Sequence, residues 1–191
     1  MVSEMNTDHM DLYAEPTWQC VMICWGTKYP TSLINNLARS IANKTASQPR
    51  FILISDRDRP DLADRIELVR FPEFWLQDRL KTSGCQAKLV MFDHGIVPTD
   101  LPAIYVDLDT IVLGDLSTGL DLMEDRQTVA ILQSAIIPFG WIGRSLYRWT
   151  NRRRYARGNS SFVIYHPAEC HFIAERFKAL LEKHPRLEFR P

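Results

Sequence analysis

This 191-residue sequence has no excess of charge of either sign, no zinc-type cysteine spacing, no long apolar run and no internal repeat. Each absence removes a class of function. Lysines plus arginines equal aspartates plus glutamates, at 23 each. A net charge of zero argues against a general nucleic-acid binder, which carries a strong basic excess. The four cysteines, Cys20, Cys24, Cys85 and Cys170, form no paired C-x-x-C zinc spacing. Cys20 and Cys24 fall on one face of an expected strand and read as buried small hydrophobes. A reduced, cytoplasmic setting is the default. The longest apolar run, CVMICW, falls far short of the roughly 20 residues that span a bilayer. The opening MVSEMNTDHMDLYAEP holds four acids and no Lys or Arg, so it is not a signal peptide. Residues 1–16 read as a loose acidic arm. The turn WGTKYP after the first apolar run is not a glycine-rich phosphate loop, which argues against a nucleotidyltransferase.

What remains is an ordinary globular composition, 46% apolar and 24% charged, sized for one compact domain over residues 17–191. Short apolar runs at Trp18–Trp25, Arg50–Ser55, Arg65–Phe71, Thr128–Gln133 and Ser160–His166 predict strands. A helix is expected from near Pro30, with Leu33, Ile34, Leu37 and Ile41 at helical spacing. A second is expected over Cys85–Gly95, ending at the glycine. A third follows Pro167, with Phe172, Ile173, Phe177, Leu180 and Leu181 on its apolar side. The segment FPEFWLQDRLKTSG reads mostly as loop. Strands alternating with helices predict an α/β layered fold with a largely parallel sheet, and ligands of such sheets bind beyond the carboxyl ends of the strands.

At one of those ends stands AIYVDLDTIVL, Ala103–Leu113, where Asp107 and Asp109 interrupt an apolar run. Burying an unpaired carboxylate costs several kcal/mol, on the order of 3–5 when its partner is missing. On a strand, residues two apart share a face, so the pair can converge on one divalent cation. Mg²⁺ and Mn²⁺ take one or two carboxylates together with phosphate oxygens. The alternative for D-x-D, a short pattern, is a solvated strand end.

The segment YVDLDTIVLGDL resembles the DxD strand of the GT-A glycosyltransferases, in particular family-eight-like bacterial enzymes. Three other segments resemble theirs in the same order. CWGTKYPTSLINNL resembles the first strand, nucleotide loop and helix of a subgroup opening with W-G-T-K-Y. QAKLVMF resembles the helix whose lysine precedes the DxD strand, and GNSSFVIYHP the later N-[AS]-[GS] strand. The resemblance spans about Trp18–Pro167. It implies a GT-A, Rossmann-like three-layer fold around a central mixed, largely parallel sheet. It also implies transfer of a sugar from a nucleoside-diphosphate sugar, with UDP favoured, to an acceptor glycan or lipid-linked sugar. Gly26, Thr27, Lys28 and Tyr29 would surround the base and ribose. Lys88 would contact donor phosphate or sugar. Asp107 and Asp109 would hold Mn²⁺ or Mg²⁺, and Asn159 with Ser160 would face the donor sugar. Enzymes of this type draw a third metal ligand, often histidine, and acceptor contacts from a later segment. No match to it precedes Pro191, and His166 and His184 sit in no matching motif.

One stretch stands apart. RSLYRWTNRRRYAR, Arg144–Arg157, has six arginines, no acids and three interleaved aromatics. It reads either as a solvated basic face or as a peripheral contact with the inner face of a membrane. Two rival functions stay open. One is a degenerate GT-A domain that binds sugar nucleotide or a partner without catalysis. The more distant one is a haloacid-dehalogenase-type phosphatase, whose D-x-D wants Thr or Val where Ile111 stands.

Overall fold

The computed structural model describes residues 15–82, 85–133, 141, 142, 145, 149, 158–185 and 187. Most of the acidic arm and of the arginine-rich stretch, Ser145 and Trp149 excepted, lies outside the described residues. The described strands are β1 (Gln19–Cys24), β2 (Arg50–Ser55), β3 (Ile66–Arg70), β4 (Ala103–Val106), β5 (Ala130–Gln133) and β6 (Gly158–Tyr165). The α-helices whose bounds are described are α1 (Thr31–Ala42), α2 (Asp78–Thr82) and α3 (His171–Lys183); Trp141, Ile142, Ser145 and Trp149 are also helical.

All six strands join one sheet in the order β3-β2-β1-β4-β6-β5. The first four of that order are mutually parallel, β6 runs antiparallel to β4, and β5 antiparallel to β6. The predicted mixed, largely parallel α/β sheet is therefore present. Every residue of β1 is buried, as expected of a central strand covered on both faces. Alternate residues feed two cores. Val21, Ile23, Ala103 and Tyr105 join Trp75, Val90, Ala174 and Leu181 on one face. Cys20, Met22, Cys24, Ile104 and Val106 join Ile34, Leu37 and Ile41 of α1 on the other. Gln19 is polar at zero exposure, and its amide donates to the carbonyls of Pro98 and Leu101 at 2.8 Å.

Pro30 is the N-cap of α1, which buries Ile34, Leu37 and Ile41 as the spacing predicts and Ala38 beside them, while the expected Leu33 is half-buried. Three expectations change. The predicted Cys85–Gly95 helix is a 3-10 helix over Gln86–Phe92. Ala87 and Val90 point to the core at a spacing of three, which suits 3.0 residues per turn. It ends where Asp93 turns extended to reach the buried Trp75 indole at 2.7 Å. FPEFWLQDRLKTSG is not mainly loop: it holds a 3-10 turn, Glu73–Leu76, and α2, because Trp75 and Leu80 are fully buried. On α3 the inner stripe is Ala174 and Leu181 with Ile173 and Phe177. Phe172 and Leu180 face outward at 41% and 44% exposure. Among the described residues no helix is long and apolar enough to cross a membrane.

Candidate functional site

β4 ends at Val106, one residue before the first aspartate. The backbone N–H of Asp107 makes a last bond across to Ser161 O at 2.9 Å, and Thr110 N then folds back onto Asp107 O at 3.1 Å. Asp107 and Asp109 therefore occupy a turn, not a strand, and the expected sharing of a strand face does not apply. What spaces them is Leu108, 6% exposed, which packs into the α1-side core with Ile34 and Leu37.

Asp107 is well bound. Lys88 Nζ lies 2.6 and 2.8 Å from its two carboxylate oxygens, and the Tyr105 hydroxyl donates to Oδ1. Burial, then the charge of Asp107, pushes the Tyr105 phenol well above its ordinary range, so it stays a donor. Lys88 and Asp107 side chains are 17% and 21% exposed, sheltered but open to the cavity beside them. Asp109 is exposed and accepts loosely from the Tyr29 hydroxyl at 3.5 Å. Lys28 Nζ lies 4.8 Å from the Tyr29 ring centroid. Its ammonium is held above its usual value, first by Tyr29 and less by the field of Asp109.

The loop after β1 is shaped from the end of β2. Gly26 takes φ +65°, a left-handed conformation that suits glycine, and its N–H donates to Asp56 Oδ2 at 3.1 Å. Arg59 donates to the carbonyls of Gly26 at 2.9 Å, Cys24 at 3.3 Å and Tyr29 at 3.4 Å, and to Ser55 Oγ at 3.0 Å. The two side chains are only 6% and 8% exposed and 3.8 Å apart. Burial alone would raise the Asp56 carboxyl, but hydrogen bonds from Arg57 and Gly26 outweigh it and lower it below the usual range. A guanidinium spread over three carbonyls fixes this loop as a lysine could not.

These pieces meet at a cavity of about 330 Å³ beyond the carboxyl ends of β1 and β4. Lys28, Tyr29, Lys81, Lys88, Asp107 and Asp109 line it, with Trp25 and Tyr105 among its other walls. Lys81 has its own partner in Asp78 at 3.3 Å, so Lys28 and Lys88 are the ammonium groups set beside Asp107 and Asp109 in the cavity. Of the predicted residues, Lys28, Tyr29, Lys88, Asp107 and Asp109 are brought together here. Gly26 supports the loop through its backbone, and Thr27 is exposed beside it. Neither belongs to the cavity lining. Asn159 and Ser160 also lie elsewhere. Asn159 Oδ1 accepts from Ser161 N at 2.9 Å, and Ser160 lines a second, more apolar cavity that shares Cys85 and Lys88 with the first.

Sequence reasoning missed Asp56, Arg59, Tyr105 and Lys81. DRDRPD reads as a surface turn, and nothing in its composition signals that two of its charges are buried. Tyr105 did carry a signal, lying two positions before Asp107 on the same side of the chain. Among the described residues no three His, Cys, Asp or Glu side chains meet in a group able to hold a metal ion. His166 is buried, and burial lowers its imidazole, helped by Arg126. His184 is exposed at the end of α3.

No family model matches the chain, and no curated protein matches it in sequence. Solved structures do match in fold. The galactosyltransferase LgtC, in complex with donor and acceptor sugar analogues, aligns with a TM-score of 0.60 at 11% identity. The alignment covers 87% of this chain and 65% of LgtC. The glycosyltransferase GlyE of Streptococcus pneumoniae TIGR4 aligns with a TM-score of 0.52 at 18% identity, over 89% of this chain and 40% of GlyE. The chain thus spans 65% or less of the length of these two proteins, and over that span it has the GT-A glycosyltransferase fold.

Proposed function

We propose that the protein is a glycosyltransferase, dependent on Mn²⁺ or Mg²⁺, that moves a sugar from a nucleoside-diphosphate sugar to a hydroxyl of a glycan or lipid-linked acceptor. UDP is the favoured nucleotide. The observation that carries the reading is the cavity at the carboxyl ends of β1 and β4, where Asp107, Asp109, Lys88, Lys28 and Tyr29 meet. Ligands of open α/β sheets bind at such ends, and the fold shared with LgtC and GlyE supports the class of reaction.

The donor set fits a hard cation. Asp109 is exposed and loosely held, Asp107 opens onto the same cavity, and such ions complete their shells with water and phosphate oxygens. Asp107 and Asp109 would hold the ion, which when bound would stabilise the charge developing on the departing diphosphate. The chain's own groups act beside it. Lys88 and Lys28 supply fixed positive charge toward the phosphates. The loop held by Asp56 and Arg59 presents Tyr29 to base and ribose, and Trp25 adds an apolar wall. Asn159 and Ser160, across Lys88 from the loop, belong in this reading to the sugar side. The setting is cytoplasmic. Arg144–Arg157, flanked by the exposed Trp141 and including the exposed Trp149, would rest on the anionic inner face of a membrane.

Thermal stability with and without Mn²⁺, against UDP, GDP, ADP and CMP, tests the donor site. Ligand at a hundredfold its dissociation constant stabilises by about 2.7 kcal/mol. A shift that needs both Mn²⁺ and one nucleotide, and vanishes in Asp109→Ala, is expected. A shift that Asp109→Ala leaves unchanged would overturn the reading. One observation favours a domain that binds sugar nucleotide without turnover: the described residues offer no third protein ligand for the ion. Product formation from UDP-sugars separates the two.

A further inference from the structure

The pairing of Lys88 with Asp107 carries a consequence for how the site is loaded. Its ammonium reaches both oxygens of the carboxylate, at 2.6 and 2.8 Å, and the Tyr105 hydroxyl reaches one of them as well. A carboxylate engaged in this way already has its counter-ion. A divalent cation approaching Asp107 meets an ammonium at contact distance, and the repulsion between a doubly charged ion and that ammonium opposes its entry. The ion must displace the lysine, and the lysine then needs another anion. The diphosphate of a nucleotide in the same cavity is such an anion, and Lys88 lines that cavity.

Resting on the donor-site reading, we infer that Lys88 is an exchangeable counter-ion: it competes with the divalent cation for Asp107 when the site is empty of nucleotide, and transfers to the diphosphate when metal and nucleotide enter together. The cation alone binds weakly because only the fraction of molecules with Asp107 released can accept it. Nucleotide diphosphate removes that handicap, so the two ligands bind cooperatively, and by linkage each strengthens the other by the same factor. Asp109, whose contact with Tyr29 is loose, is the carboxylate an incoming ion meets without such competition. No bond is made or broken in the exchange; one ion pair replaces another.

The inference gives Lys88 two effects of opposite sign, which a merely structural lysine would not show. Lys88→Gln should bind Mn²⁺ alone more tightly than the native protein, by about fivefold or more, the lower end of ordinary site-to-site coupling. The loss of the free Mn²⁺ electron-spin signal on titration measures it. The same variant should bind the nucleoside diphosphate more weakly and lose most of the cooperativity between the two ligands, read by calorimetry. Lys88→Arg, which keeps the charge, should retain weak binding of Mn²⁺ alone. If Lys88→Gln does not fold, the native protein supplies the readout: Mn²⁺ binding to it that nucleoside diphosphate does not strengthen would overturn the inference. So would Mn²⁺ binding in Lys88→Gln that is equal to native, weaker, or absent. Failure of the donor-site reading looks different: Asp109→Ala would then leave both Mn²⁺ and nucleotide binding untouched, whatever Lys88→Gln does.

Discussion

Two carboxylates in this fold are held by the same kind of partners and end in opposite circumstances. Asp107 is bound by Lys88 and the hydroxyl of Tyr105. Asp93 is bound by Lys178 at 2.6 and 2.7 Å and by the Trp75 indole at 2.7 Å. Each is an aspartate, an ammonium and an aromatic donor. The first stands past the end of β4 with 21% of its side chain exposed to a cavity. The second is 8% exposed, at the junction of α3 with the segments before β4. There Trp75 also stacks on Phe177 at 5.7 Å, and His94 N donates to Asp93 Oδ1 at 3.0 Å. Chemistry alone does not separate a binding group from a brace. Position does: Asp107 opens onto a cavity where its lysine can exchange partners, whereas Asp93 lies buried under the Trp75 indole and only its lysine, 31% exposed, reaches solvent.

The comparison breaks most visibly at the brace. Asp93→Ala should cost about 3 kcal/mol, because it strands a buried indole N–H and leaves Lys178 without its counter-ion. Asp93→Asn, which keeps an acceptor for Trp75, should cost less; denaturant melts of both measure it. The loop clamp comes next. Arg59→Met should cost about 1–2 kcal/mol and weaken nucleotide binding about tenfold, with the loss in binding exceeding any loss in turnover of bound donor. Equal losses in both would place Arg59 in the core and not in service of the loop.

Acid should act on the brace as well. Burial would raise the Asp93 carboxyl, but Lys178 and Trp75 outweigh it and hold it below the usual range. With its folded value depressed, its contribution is present in full above the ordinary carboxylate value near 4. It is lost as pH falls through the lower folded value. Stability measured from pH 5 downward should therefore fall less steeply in Asp93→Ala than in the native chain. The smallest effect on stability belongs to the cavity: Asp109→Ala should lie within about 0.5 kcal/mol of native, as exposed substitutions do, while abolishing the nucleotide-dependent shift.

Much of the architecture was legible because it rests on apolar patterning. Each predicted strand is present with its ends within two residues, apart from the DLD stretch, and α1 buries most of the face its spacing assigns. Between β3 and β4 the helical segment near Cys85–Gly95 was legible in place but not in type, and Glu73–Leu76 and α2 were not, since a 3-10 turn and a five-residue helix have no long period to detect. Their order comes from long-range contacts such as Trp75 with Asp93, 18 residues apart. The aspartates, Lys88, Lys28 and Tyr29, which line one cavity, were named from residue type and motif. Asp56 and Arg59 were not, because a buried charge looks in sequence like a surface one. The placement of Asn159 and Ser160 away from the first cavity was invisible for the same reason: spacing along a chain says nothing of which side of Lys88 a strand enters.

Leu108, between the two aspartates, makes the site hostage to the hydrophobic core. Its side chain is a peg driven into the packing of α1, so the relative placement of the carboxylates is inherited from van der Waals contacts on the far side of the turn. Shortening it would leave both acids in the sequence and take away the ruler between them. In a survey of substitutions scored by function, Leu108 would therefore be grouped with the aspartates. Scored by heat, it would be grouped with Ile34 and Leu37. A position that changes company with the assay marks where the scaffold and the chemistry share a single residue.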